Sequence, residues 1–174
     1  MNHVKSTALI LGTLIAAGQF FSASPASGVQ DPANPTAAEV RKIIAEGNKE
    51  WGKARVALDT ATFERMLAPD FFVQLQDGKL TREVFIRGIS SYAPGVKLTR
   101  FDASVLTVRR TADGEWEALI HEKLEFEQSG QKIYSLWITR DGWRKTDNGW
   151  QITFSIEAGS EWWVRGAKPP FQDW

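Results

Sequence analysis

The chain of 174 residues contains no cysteine and only two histidines. The first absence excludes a disulfide scaffold, a thiolate metal centre and a cysteine-linked lipid anchor. The second leaves His121 as the one imidazole once His3 departs with the segment described below, which argues against a zinc site or a serine-histidine-acid triad. No metal and no cofactor is expected. An excess of charge is missing too: 21 basic residues balance 21 acidic ones. Nothing therefore steers the protein toward nucleic acid. Internal repeats are absent, and no apolar run reaches the ~20 residues needed to span a bilayer.

The run over residues 8–17 is too short for that because Gln19 follows it. Lys5 before the run, and the small residues Ser22, Ala23, Ser24 and Ala26 after it, read instead as an export signal over residues 1–26. Cleavage is expected after Ala23 or Ala26. It removes Lys5 and brings the net charge to about −1. The expectation is an exported protein, periplasmic or secreted, with no membrane association after the signal is removed. Residues 27–35, with Gly28, Pro32 and Pro35, read as a flexible leader. What remains is the size of one domain with one core.

Thr36 and Glu39 form a capping box, and Val40, Ile43, Ile44, Gly47, Trp51, Ala54 and Leu58 follow at helical spacing. Asp59 or Thr60 caps a short second helix carrying Phe63, Met66 and Leu67, which Pro69 ends. A brief strand over 71–75 stops at Asp77-Gly78. Thr81 then caps a third helix with Phe85, Ile89 and Tyr92 on one face, terminated by Pro94-Gly95. Four long strands fill the remainder, joined by two-residue turns at Asp113-Gly114, Ser129-Gly130 and Asn148-Gly149. Helices followed by an antiparallel meander define an α+β domain. Strands this long cannot stay flat, and Gly142 marks a bend or bulge.

These turns set a register in which Glu122 lies opposite Val105 and Trp137, within the otherwise apolar row Trp116, Ala118, Ile120, Leu124 and Phe126. The first turn places Trp116 opposite Thr111 and Phe126 opposite Phe101. The third places Trp143 opposite Phe154 and Asp141 opposite Ile156. A lone carboxylate among hydrocarbon has its pKa raised by desolvation, which makes Glu122 the candidate general acid or base. The alternative is a structural acid paired with Arg55 or Asn48, which share a helix face with Trp51. Asp141 shares the sheet face but lies four positions from Trp137, about 13 Å away at ~3.3 Å per residue, so the two acids are not expected to pair.

The element order resembles the nuclear transport factor 2-like superfamily. Two stretches carry the resemblance further, Leu58-Asp59 through Leu67-Ala68-Pro69-Asp70-Phe71, and Arg140-Asp141-Gly142-Trp143-Arg144-Lys145 with Asn148-Gly149-Trp150-Gln151-Ile152. Both are similar to SnoaL-like polyketide cyclases and steroid isomerases, over roughly residues 40–157. The resemblance implies a cone-shaped, curved antiparallel sheet with three N-terminal helices on its concave face and a pocket inside, over residues 36–160. It also implies a homodimer formed through the outer sheet face. Steroid isomerases of the superfamily carry a general-base aspartate on the first strand, where this chain has Val73, Gln74 and Leu75, and Trp51 falls near their first-helix tyrosine. An indole donates a hydrogen bond but is no acid near neutral pH, so steroid isomerisation is not expected.

Trp51, Trp137 and Trp143 supply flat apolar walls, and Tyr92, Thr139 and Asp141 add polar groups to a site for a small hydrophobic molecule. Packing in the core explains the tryptophans equally well. On the other face, Leu106, Val108, Leu119, His121, Leu136 and Ile138 form an apolar centre with a charged rim, the composition of an association surface. The alternative is cover by the aromatic tail, residues 161–174. Three function classes stay open: a binding protein, a metal-independent acid-base enzyme using Glu122, and a structural module without ligand.

Overall fold

The structure, a computed structural model, describes residues 34–164, with side chains up to Glu161. The expected export signal and most of the leader, and the tail beyond Val164, lie outside the described residues. The elements run α1 (Ala37–Ala57), α2 (Thr60–Met66), β1 (Leu67–Leu75), β2 (Gly78–Thr81), α3 (Arg82–Ser90), β3 (Val96–Arg110), β4 (Trp116–Gln128), β5 (Gln131–Thr146) and β6 (Gly149–Val164).

Helix α1 starts at the expected capping box, with the Thr36 hydroxyl receiving the Glu39 N–H and the Glu39 carboxylate receiving the Thr36 N–H at 2.7 Å. It ends where Leu58 turns left-handed, at φ 57°. Asp59 and Thr81 cap α2 and α3 through their side chains alone, which accept from the Thr62 and Val84 N–H groups. Leu67 belongs to β1 rather than to α2. Pro69 lies inside that strand, where the register to β6 shifts between Leu67 and Phe72, so its missing N–H falls at an interruption of the ladder.

One curved, unclosed sheet carries the strand order β2-β1-β6-β5-β4-β3. All neighbours are antiparallel except β1 and β6. Strand β2 is only four residues long, too short for an alternating pattern to mark it in the sequence. Buried and half-buried residues alternate along β4, with Trp116, Ala118, Ile120, Glu122, Leu124 and Phe126 on the inner face. The core lies between this face and the helices. Val40, Ile44, Trp51 and Ala54 of α1 pack with Phe63 and Met66 of α2, and with Trp116, Ala118, Ile120, Trp143 and Ile152 of the sheet. Helix α1 sits close: a Cβ at Gly52 would collide with the Phe101 ring, and one at Gly47 would lie 2.7 Å from Cη2 of Trp143.

The three hairpins differ. At Ser129-Gly130 both residues have positive φ, 51° and 74°, as a primed two-residue turn requires, and the β4–β5 register is the expected one throughout. At the other two, glycine alone is left-handed. Gly114 follows a turn closed by its N–H on the Thr111 carbonyl, and Gly149 follows a turn centred on Asp147-Asn148. In both cases glycine serves as the residue after the turn, as in a G1 bulge. Trp116 therefore pairs with Arg110, Trp143 with Ile152 and Asp141 with Ser155. A bulge between Val105 and Thr107 then restores the facing, so that Glu122 pairs with Ala103 rather than Val105, and Leu124 with Phe101. The expected irregularity at Gly142 is a register shift between Gly142 and Trp143.

Candidate functional site

Between the inner sheet face, α1 and α3 lies a cavity of about 450 Å³. Leu124, Phe126 and Trp137 wall it from the sheet, Trp51 from α1, and Phe85 and Ile89 from α3, while Val73, Leu75 and Leu80 close it from β1 and β2. The exposed Val84, Gly88 and Ala93 border its mouth. Trp51 is held rigidly: its ring stacks on Phe85 at 5.7 Å and meets Phe63 edge-on at 4.9 Å.

Glu122 lines this cavity and is 7% exposed. Loss of hydration pushes its carboxyl up to about 7. The positive charge of Arg55 pulls it down in part, and the charge of Asp141 adds a smaller upward push. Among the described residues Glu122 forms no ion pair. The structural pairing with Arg55 therefore does not form, although Arg55 also lines the cavity and lies with its guanidinium carbon 5.7 Å from the Phe101 ring centre.

Of the other expected ligand-binding residues, Trp51, Tyr92, Trp137 and Thr139 line the cavity. The Trp137 indole N–H donates to the Ser135 hydroxyl at 2.6 Å, which fixes that ring. Tyr92 packs edge-on against Phe126 at 5.9 Å, and its hydroxyl is buried without a partner. Asp141 and Trp143 do not reach the cavity. Trp143 lies beneath α1, where the missing side chain of Gly47 makes room for its ring. Asp141 accepts from the Ser155 hydroxyl at 2.7 Å, and burial pushes its carboxyl up to about 6. Asp141 acts on Glu122 through space, its charge raising the Glu122 pKa.

Several lining residues carry no site signal in the sequence: Val73, Leu75, Leu80, Val84 and Glu157 come from β1, β2, α3 and the far strand β6. Glu157 accepts from the Ser160 hydroxyl at 2.7 Å and from the Gln76 backbone, tying β6 to the β1–β2 turn. No composition signal marks such residues, because the parallel β1–β6 pairing that gathers them is non-local.

The outer face is also corrected. Val108 pairs with Ala118 and packs against the main core, because the bulge after Val105 turns it inward. Leu119, His121 and Ile138 stay on the outer face, half-buried, and Leu136 is 9% exposed within a single chain. Leu106, at the bulge, is 44% exposed. Ion pairs of Glu117 with Arg109 and Arg140, and of Glu125 with Lys132, border this surface. Burial and the charge of Lys123 lower the pKa of His121.

Solved structures share this fold. A protein of Cytophaga hutchinsonii described as nuclear transport factor 2-like shares it with a TM-score of 0.57 at 18% identity, over 67% of this chain and 95% of that one. The chain has the nuclear transport factor 2-like fold. Another nuclear transport factor 2-like protein, of Rhodospirillum rubrum and described as of unknown function in nutrient uptake, matches at 0.55 and 20% identity over 66% of this chain and 95% of that one. Aln2 of a Streptomyces species matches at 0.60 and 15% identity over 71% and 92%. No protein-family model and no curated protein matches the chain. The shared fold by itself carries no activity, so function is argued from the site.

Proposed function

We propose that the protein binds one small, largely apolar molecule in the hollow of its sheet, with Glu122 as the buried polar contact. The observation that carries this reading is the cavity itself. About 450 Å³ falls in the ~300–1,000 Å³ range of ligand pockets, and its wall is aromatic and aliphatic with few polar groups. A module without ligand would fill this space with side chains. The nuclear transport factor 2-like fold supports the reading, and the export signal expected from the sequence would place the protein outside the cytoplasm.

Native mass spectrometry of the protein purified from its own host tests the proposal. A retained small molecule at one per chain is expected, and the intact mass reports signal cleavage in the same spectrum. A chain without ligand that also takes up no apolar probe would contradict it.

A second reading is supported by two carboxyls held at about 7 and about 6. A carboxyl near 7 exchanges protons readily at neutral pH, as a general acid or base must. In an isomerase, dehydratase or cyclase reaction, Glu122 would move a proton on a ligand held between Trp51 and Trp137. The isosteric Glu122→Gln separates the readings, because a binding protein keeps its affinity nearly intact whereas an acid-base enzyme keeps the ligand and loses turnover.

A further inference from the structure

Among the described residues Arg55 is the only basic residue lining the cavity, and no ion pair there involves it. Its Nε is buried without a hydrogen-bond partner. A guanidinium is always charged, and leaving one unpaired beside hydrocarbon is costly unless something completes it. Other donors on lining residues in the same state include the indole N–H of Trp51 and the hydroxyl of Tyr92. The polar equipment of an otherwise apolar hollow thus comprises these donors, the single positive charge of Arg55 and two carboxyls, Glu122, protonated up to about pH 7, and Glu157, which is engaged with Ser160 and Gln76. The nearby acid does not answer that charge, because Glu122 forms no ion pair with it.

We propose that the molecule received by this hollow is a monocarboxylate with an apolar body, its carboxylate held by Arg55 and its hydrocarbon lying among Phe85, Leu124, Phe126 and Trp137. This rests on the reading of the hollow as a binding cavity and names the ligand class. The planar guanidinium matches a carboxylate with two parallel hydrogen bonds. A single cation balances a single negative charge, whereas a phosphate dianion would leave one charge buried and unanswered. An amine is disfavoured for the converse reason, since pairing with Glu122 would set a second cation beside Arg55.

The charged and titratable groups around Glu122 are Arg55 on α1, Asp141 on β5, Glu157 on β6, and Tyr92 after α3, while Ala103, its partner on β3, contributes none. A carboxylate on Arg55 cancels the one charge that favours ionised Glu122. Binding therefore takes up a proton near neutral pH, and affinity for the anion falls as pH rises through 7.

Calorimetric titration of the full chain with 2-naphthoate, 2-naphthylmethanol and 2-naphthylmethylamine tests this with bodies of one shape and three head groups. The expected result at pH 6 is binding of the acid about tenfold tighter than the alcohol. The preference should shrink at pH 8, and Arg55→Gln should bring the ratio of acid to alcohol to within about twofold of one. Binding of the alcohol or amine as tightly as the acid overturns the inference and leaves the cavity reading intact. So does a preference that survives Arg55→Gln. Failure of all three probes to bind overturns both. The wild-type comparison of head groups stands without any variant, so a poorly folded Arg55→Gln does not remove the test.

Discussion

Placing a carboxyl where Glu122 sits costs folding free energy, and the sign of its pH dependence follows from the shift. The folded protein holds this proton up to about pH 7, whereas the unfolded chain releases it near 4.5. Below 4.5 both states are protonated and no penalty applies. Between 4.5 and 7 the unfolded state binds fewer protons, so stability falls as pH rises, and above 7 the loss is complete. Asp141 acts with the same sign between 3.8 and about 6. Glu122→Gln, which keeps the shape and removes the ionisation, should therefore stabilise the protein at pH 8 by on the order of 2 kcal/mol and change it little at pH 4. Urea denaturation at the two pH values measures this, and equal effects at both would show that the carboxyl is not desolvated. Glu122 was legible in the sequence because the Ser129-Gly130 turn admits one register and an alternating row then exposes the odd residue. Arg55 was legible only as an alternative partner, since nothing in the sequence shows that a cation will be left without an acid.

At the scale of elements, helix starts read cleanly because a cap is a local device: Thr36, Asp59 and Thr81 each bond to the backbone three residues on. Turns were less legible. Asp113-Gly114 and Asn148-Gly149 carry the same signature as Ser129-Gly130, yet glycine can either complete a primed turn or follow an ordinary one, and tertiary pairing chooses. The bulges that then move Glu122 opposite Ala103 and turn Val108 inward have no local signature in β3. Glycine at a helix–sheet contact is a second ambiguity. Within a helix Gly→Ala ordinarily stabilises by ~0.5–1 kcal/mol. At Gly88 of α3 a Cβ meets nothing within 4 Å, and Gly88→Ala should show that gain. At Gly52 the Phe101 ring fills the space, and Gly52→Ala should destabilise by ~1–3 kcal/mol instead. Thermal or denaturant melts of the two variants, one moving up and one down, check the packing of α1 on β3; the same sign for both would contradict it.

For the whole molecule, the α+β class and the curved sheet were readable because helices precede a meander too long to lie flat. The short β2 and the parallel seat of β1 beside β6 were not, and these close the cavity with Leu75 and Leu80. The outer face is the second large-scale question. The homodimer expected from the sequence would bury Leu119 and Ile138, and sedimentation should then show a dimer that Leu119→Glu converts to monomer; a dimer indifferent to that change would place the contact elsewhere. Binding and proton uptake both require the hollow to be a desolvated, occupiable space with a protonated acid in its wall. Carbon-detected titration of the Glu122 side chain in the full chain, free and saturated with 2-naphthoate, measures this most directly. A midpoint near 7 that moves upward with the probe bound is expected, and a midpoint near the ordinary 4.5 that ignores the probe would contradict a desolvated Glu122 in the cavity wall.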